Sequence, residues 1–349
     1  MSAKILLTGA TGFIASHTVA ALLDAGHQVI GTVRDPHNAA ATAHLRALPG
    51  AAQRLEIVAA SLATPDAFDA HLTDVDYVIH MASPYQLTVA DPARDLVQPA
   101  VEGTRNVLAA CARAPHIKRV VVTSSMAAIT DEPDSHKVLT EADWNTKSSL
   151  TRNPYYFSKA EAERAAWDFH REQQPSWSLV VINPFIVIGP AMNAALNESN
   201  KIFADLMGGA FPAIMALTWG FVDVRDVATA HLHALTHAQA NGRYLCAGET
   251  RNMREVVAFL REHGYGHTRL PKFGLDSAFG NRLALLAAAT QPKGVASYLR
   301  SHLGRMVRYD NSKIGRELGV VFRPLNDSIM DTAADLVRWG HVAAAPRAR

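Results

Sequence analysis

Six short runs of aliphatic and β-branched residues, KILLTG, HQVIGTVR, RLEIVAA, DYVIHMAS, KRVVVTSS and WSLVVINP, alternate with longer helix-like stretches as far as Pro184. Each run is apolar along its centre instead of alternating with polar residues, the pattern of strands buried on both faces. Helices are expected over 13–25, 92–114 and 155–173, which makes the connections crossovers and the sheet parallel. The predicted fold class is therefore α/β, a doubly wound parallel sheet. Gly26, after Leu22-Leu23-Asp24-Ala25, stands where the first helix needs a left-handed cap before the second strand.

After Pro184 the rhythm changes to a mixed region with loops around Pro190, Gly208-Gly209 and Pro212, which predicts a smaller domain over the carboxyl edge of the sheet. Residues 221–238 and the strand-like RYLCAG are expected to return to the first domain. The division expected is 1–183 plus about 221–249 for nucleotide binding and about 184–220 plus 250–342 for substrate, with 343–349 a flexible tail.

A net charge of only +2 over 349 residues gives no basic stripe for nucleic acid or an anionic membrane. No stretch reaches the ~18 to 20 apolar residues of a membrane span, and the first apolar run enters a glycine turn instead of a cleavage site. Cys111 and Cys246 form no paired series, so a reducing, cytoplasmic setting is expected. No partner beyond a small-molecule substrate is expected, and the chain is read as a monomer or homodimer.

ILLTGATGFIA is a strand, then glycines at 9 and 12, then a helix with Ala15 in the third small position. Gly9 permits the tight turn, Gly12 lets backbone N–H groups approach a pyrophosphate at the helix N-terminus, and Ala15 lets the helix pack on the strand, as in Rossmann folds. The second strand ends VIGTVRDP, with Arg34 where NAD-preferring folds place an acid. A guanidinium binds a 2′-phosphate bidentately, so NADP(H) is the expected cofactor, while Asp35 beside it leaves room for NAD(H).

NPYYFSKAEAE, residues 153–163, holds the expected chemistry. Tyr155 and Lys159 at i, i+4, and Tyr156 and Lys159 at i, i+3, both share a helical face. An adjacent ammonium stabilises a phenolate, bringing a phenol from its usual pKa of about 10 toward working range as an acid or base at a carbonyl oxygen. Ser124 and Ser125 stand at the mouth of the preceding strand, and a serine hydroxyl there would hold the same oxygen.

These pieces, in the order TGATGFIASH, VRDP, VIHMASP, EGTRNVLAACA, VVVTSSMAA, YYFSKAEAE, NPFIVIGP, FVDVRDVATAH and RYLCAGE, resemble the extended short-chain dehydrogenase/reductases, particularly the dihydroflavonol reductase, cinnamoyl-CoA reductase and carbonyl reductase group. The resemblance covers about residues 4–250. It implies a catalytic set of Ser125, Tyr155 and Lys159, with Lys159 also on the nicotinamide ribose, Pro184 near the nicotinamide, and Ala82 and Ser83 on the loop that passes the cofactor. Ser61 and Leu62 stand where the family often has an acidic residue beside the adenine. Completing the expected cofactor set are Thr8, Phe13 and Ile14 in the glycine turn and Val187 beyond the NP motif. Ser61-Leu62 is one departure from the family pattern, and two more stand out: Thr130 replaces the asparagine of the flavonoid enzymes, and Ala41 replaces a second basic residue that some members use for the 2′-phosphate.

The implied function is an NADPH-dependent carbonyl reductase working reversibly on aldehydes or ketones. Alternatives are a nucleotide-sugar epimerase or dehydratase, a 3β-hydroxysteroid dehydrogenase, or a cofactor-sensing scaffold without chemistry. His231, His233 and His237 share no single helical face and have no carboxylate at ligand spacing, so no metal is expected. Asp223 and Asp226 are expected to be structural. Phe203, Met207, Met215, Trp219 and Phe221 fit either a substrate pocket or ordinary core.

Overall fold

A computed structural model of the chain describes residues 2–83 and 89–345. Twelve strands lie among them: β1 (Lys4–Thr8), β2 (Gln28–Val33), β3 (Leu55–Ala59), β4 (Tyr77–His80), β5 (Arg119–Thr123), β6 (Val138–Leu139), β7 (Ser178–Pro184), β8 (Ile186–Ile188), β9 (Thr218–Asp223), β10 (Gly242–Cys246), β11 (Thr250–Asn252) and β12 (Arg308–Tyr309). The α-helices are α1 (Phe13–Asp24), α2 (Ala39–Arg46), α3 (Ala51–Arg54), α4 (Gln98–Ala112), α5 (Pro154–Gln173), α6 (Glu198–Gly208), α7 (Val224–Thr236), α8 (Met253–Leu260), α9 (Ala278–Ala287), α10 (Lys293–His302), α11 (Ser312–Leu318) and α12 (Leu325–Arg338).

Seven strands form one parallel sheet in the order β10-β7-β5-β4-β1-β2-β3, so the predicted doubly wound sheet is present. The six runs read from the sequence all fall in it. Their continuous apolar character has the expected cause, because successive residues of one strand bury into opposite layers. Ile5 and Leu7 join a core with α1 and α7, whereas Leu6 between them joins a core with α4. Val121 and Val120 divide in the same way. Gly26 has φ +82°, and the N–H groups of Gly26 and His27 close the end of α1 on the carbonyls of Leu23 and Leu22, as the cap reading requires.

The chain order reverses between β1 and β4, and every strand of a parallel sheet ends on the same edge. That edge at the reversal is where open α/β sheets form their ligand crevice. Both cysteines are buried, and burial pushes their thiols above the usual range.

A separate apolar cluster gathers Phe203, Met207, Trp219 and Phe221 with residues of α8, α10 and α12, and Met215 packs against it. Burial of these four to 3% exposure or less makes them core. A three-stranded sheet, β11-β9-β8, holds this cluster, with β8 parallel and β11 antiparallel to β9. Within 221–249, α7 packs on α1 and β10 pairs with β7 in the large sheet, while Phe221 to Asp223 complete β9. We propose the two-lobe division given above on this arrangement; residues 346–349 of the expected tail lie outside the described residues. No helix among the described residues is long and apolar enough to cross a membrane.

Candidate active site

The strand ends collect the expected residues at one edge. Thr8 closes β1, Arg34 follows β2, Ser61 and Leu62 follow β3, Ala82 and Ser83 follow β4, Ser124 and Ser125 follow β5, and Pro184 closes β7. Sequence neighbours of these residues explain their order: each is the last residue of a strand that the sheet buries or lies one to three positions past one.

At the glycine turn the backbone is bare. Gly9 has φ +71°, and a Cβ there would stand 3.0 Å from Cβ of Ala82; one on Gly12 would stand 3.3 Å from the Gly9 carbonyl oxygen. Gly12 leads into α1 with no side-chain cap and no acidic residue in the first turn. Among the described residues nothing caps the N–H groups of that turn, Phe13 and Ile14 among them, which is the requirement for holding a pyrophosphate. Ala15, in the first turn of α1, is buried in the core with Ile5 and Leu7 of β1, where its small size lets the helix pack closely.

Thr8 Oγ1 accepts the N–H groups of Met81 and Ala82, each at 3.0 Å, and meets His80 Nδ1 at 2.9 Å. His80 Nε2 lies 3.4 Å from Thr104 Oγ1 on α4. Burial and then the neighbouring Lys159 ammonium lower the His80 imidazole to about 3, so it is neutral and locks β1 to β4 by hydrogen bonds alone. Arg34 is exposed and makes no ion pair or hydrogen bond with another described residue. Ser61 Oγ accepts from Ala63 N, while Leu62 packs against Gly103 and its carbonyl accepts from Asn106. Val187, in β8, is buried in the core against α1 and α7.

Helix α5 begins at Pro154, well suited to a first helical position, and carries Tyr155 and Lys159 one turn apart. The Lys159 ammonium lies 5.8 Å from the centre of the Tyr155 ring. Burial lowers that ammonium to about 8. Tyr156 takes another direction: its hydroxyl lies 3.5 Å from His302 Nε2 of α10, and the two rings are 5.6 Å apart. Burial lowers the His302 imidazole to about 4.

The two serines also separate. Ser124 Oγ donates to Glu163 Oε2 at 2.5 Å inside the protein, whereas Ser125 Oγ accepts from Ala127 N at 3.1 Å and caps the turn Met126–Ala128, which packs on α5. A small hollow is lined by His80, Ser83, Thr104, Ser124, Lys159 and Glu163. Glu163, Asn183 and Arg243 were not singled out by sequence reasoning. The available signal was an acid four residues past Lys159, on the same face of α5.

Other candidates take structural places. His231 is buried between the Val227 carbonyl and Thr123 Oγ1, and His233 and His237 stack on one another beside α11. Asp223 accepts from Arg225 and Ser328, and Asp226 pairs with Arg323.

Residues 5–247 match the NAD dependent epimerase/dehydratase family. The chain is 41% identical over 278 residues to cinnamoyl-CoA reductase CAD2 of Medicago truncatula, covering 77% of this chain and 82% of that protein. It is 35% identical over 358 aligned positions to the ketoreductase azaE of Aspergillus niger, covering 97% and 98%. Among solved structures, Gre2 from Candida albicans in complex with NADPH is 32% identical with a TM-score of 0.80, covering 97% of this chain and 99% of that one. With a parallel nucleotide-binding sheet and reductase relatives along its length, the chain belongs to the NAD dependent epimerase/dehydratase family, the extended short-chain dehydrogenase/reductases, and is an NAD(P)-dependent oxidoreductase.

Proposed function

We propose that the protein is an NADPH-dependent reductase of aldehydes or ketones, able to run in reverse as an alcohol dehydrogenase. The observation that carries this reading is the pairing of Tyr155 and Lys159 on one face of α5, with the desolvated ammonium 5.8 Å from the phenol ring. Support for the cofactor comes from the bare glycine turn and from Arg34, an exposed cation at the end of β2 without a partner among the described residues. Similar reductases carry NADPH in their crystals, including the yeast methylglyoxal/isovaleraldehyde reductase Gre2, 29% identical with a TM-score of 0.79 over 96% of this chain and 98% of that one.

In this reading Gly9, Gly12, Phe13 and Ile14 hold the pyrophosphate, buried Thr8 anchors the turn behind them through Met81, Ala82 and His80, and Arg34 receives the 2′-phosphate. Ser61, Leu62, Ala82, Ser83, Pro184 and Val187 border the rest of the cofactor. When bound, NADPH supplies a hydride for the carbonyl carbon. Tyr155 donates the proton to the carbonyl oxygen, Ser125 orients that oxygen by a hydrogen bond, and Lys159 favours the phenolate left behind while holding the ribose.

The test is the fall of NADPH absorbance with a panel of aldehydes, diketones, ketoesters and cinnamoyl-CoA. Turnover of at least one carbonyl, lost in Tyr155→Phe, is expected. Turnover of a nucleotide sugar with none of the panel would overturn the reading in favour of an epimerase.

A further inference from the structure

Glu163 is 1% exposed and lies four residues past Lys159 and eight past Tyr155, on the same face of α5. Its carboxylate receives four donors from four segments. Ser124 Oγ and Asn183 Nδ2 reach Oε2 at 2.5 and 2.7 Å, and Arg243 Nε and Trp167 Nε1 reach Oε1 at 2.5 and 3.3 Å. That fills the acceptor capacity of an ionised carboxyl group. Two of these donors stand at the ends of β5 and β7, next to the proposed site.

The link to Ser125 is direct. Asn183 Nδ2 also donates to the Ser125 carbonyl at 3.2 Å, and Ser124 N donates to the Ile182 carbonyl at 2.8 Å. One carboxylate therefore ties the last residues of both strands to α5. By holding the Ser124 hydroxyl inward, it leaves its neighbour to the other side, because adjacent residues of extended backbone point in opposite directions. Ser125 is extended, at φ −163° and ψ 157°.

Charge is what makes this arrangement informative. Arg243 is itself buried at 7% exposure, gives Nη1 to the carbonyls of Glu141 and Asp143, and has its guanidinium 3.9 Å from the centre of the Trp144 ring. A buried ion pair is costly to desolvate and is often no more stabilising than apolar packing, whereas its directional bonds fix geometry. Here the bonds converge beside the hollow that Lys159 and Ser83 line. We propose that Glu163 is a positioning residue that sets the place of Ser125 through Ser124 and Asn183, an inference that rests on the reading of Ser125 as the hydroxyl that orients the carbonyl.

A double-mutant cycle tests it, with isovaleraldehyde and NADPH as substrates. Glu163→Gln keeps the shape and removes the charge. It is expected to lower kcat about 10- to 100-fold, the cost of a misplaced catalytic group, while the NADPH dissociation constant stays within about twofold. In a Ser125→Ala background the same change is expected to alter the residual kcat by less than about threefold, because the group it positions is gone. An equal loss in both backgrounds means a general structural role and overturns the proposal, as does Glu163→Gln with parental kcat. Ser125→Ala with full turnover overturns the reading of Ser125 and the inference with it, and is distinguishable because Glu163 plays no part in that measurement. Ser124→Ala, which removes one donor and leaves the buried ion pair in place, carries the same cycle where Glu163→Gln does not fold. Independently of turnover, a crystal structure of either variant is expected to show Ser125 displaced; an unmoved Ser125 would sink the proposal.

Discussion

The Lys159 ammonium lies one helical turn from Tyr155 and 5.8 Å from the centre of its ring, in surroundings that lower its pKa from 10.5 to about 8. A lysine whose folded pKa is depressed binds its proton less well folded than unfolded. Its penalty is fully present below pH 8 and fades as the pH rises toward 10.5, since the unfolded chain then holds the proton that the native protein has released. The full shift corresponds to about 3 kcal/mol, and the partial exposure of the side chain reduces this to roughly 1 to 2 kcal/mol. Lys159→Met in the cofactor-free protein is therefore expected to raise the melting temperature at pH 7 and to lose that advantage near pH 10.5, while turnover falls at least 100-fold. Thermal denaturation followed across this pH range checks the sign; a variant less stable than the parent at pH 7 contradicts it.

Tyr155 and Tyr156 differ in environment more than in sequence. Tyr156 leans on His302, so its ring serves the contact between α5 and α10. Tyr155→Phe is expected to abolish turnover with NADPH binding near normal and little change in melting temperature. Tyr156→Phe is expected to keep most activity. Reversed losses, measured on folded proteins by steady-state kinetics and cofactor fluorescence, would assign the proton to Tyr156.

Arg34 is exposed and without a described partner, so replacing it disturbs little else. Losing a charge-assisted hydrogen bond costs roughly 1.5 to 3 kcal/mol. Arg34→Ala is thus expected to raise the apparent NADPH constant about 10- to 100-fold and to spare NADH. Titration of both cofactors decides it, and equal weakening of the two would remove Arg34 from the 2′-phosphate.

Gly9 combines a left-handed φ of +71° with a position where a Cβ would meet Ala82 at 3.0 Å. Gly9→Ala is expected to destabilise by about 1 to 2 kcal/mol from the backbone alone. It should also weaken NADPH, because Ala82 borders the proposed cofactor site. A melting temperature unchanged within error would show that the turn relaxes freely.

The order of strands and helices was legible in the sequence because a parallel sheet buries both faces of each strand, leaving aliphatic runs such as VVV at 120–122 that no exposed element would tolerate. The glycine turn before α1 and the cap after it were legible for a similar local reason: Gly9 and Gly26 sit at positive φ, where side chains are disfavoured. The spacing of Tyr155 and Lys159 determined that they share a helical face. What it could not separate was Tyr155 from Tyr156, or Ser124 from Ser125, since each pair offers the same chemistry in adjacent positions.

Only the tertiary structure gives the members of each pair different surroundings. His302 arrives beside Tyr156 from 146 residues away, and Glu163 captures Ser124 from 39 residues away, distances over which no periodicity carries information. Arg243 reaches Glu163 only because β10 lies beside β7 in the sheet. The large apolar residues Phe203, Met207, Trp219 and Phe221 likewise read equally as pocket or core until packing buried them together. Their chemistry is the same in either place. Burial is set by which elements meet, and that is a property of the folded chain, not of any stretch of it.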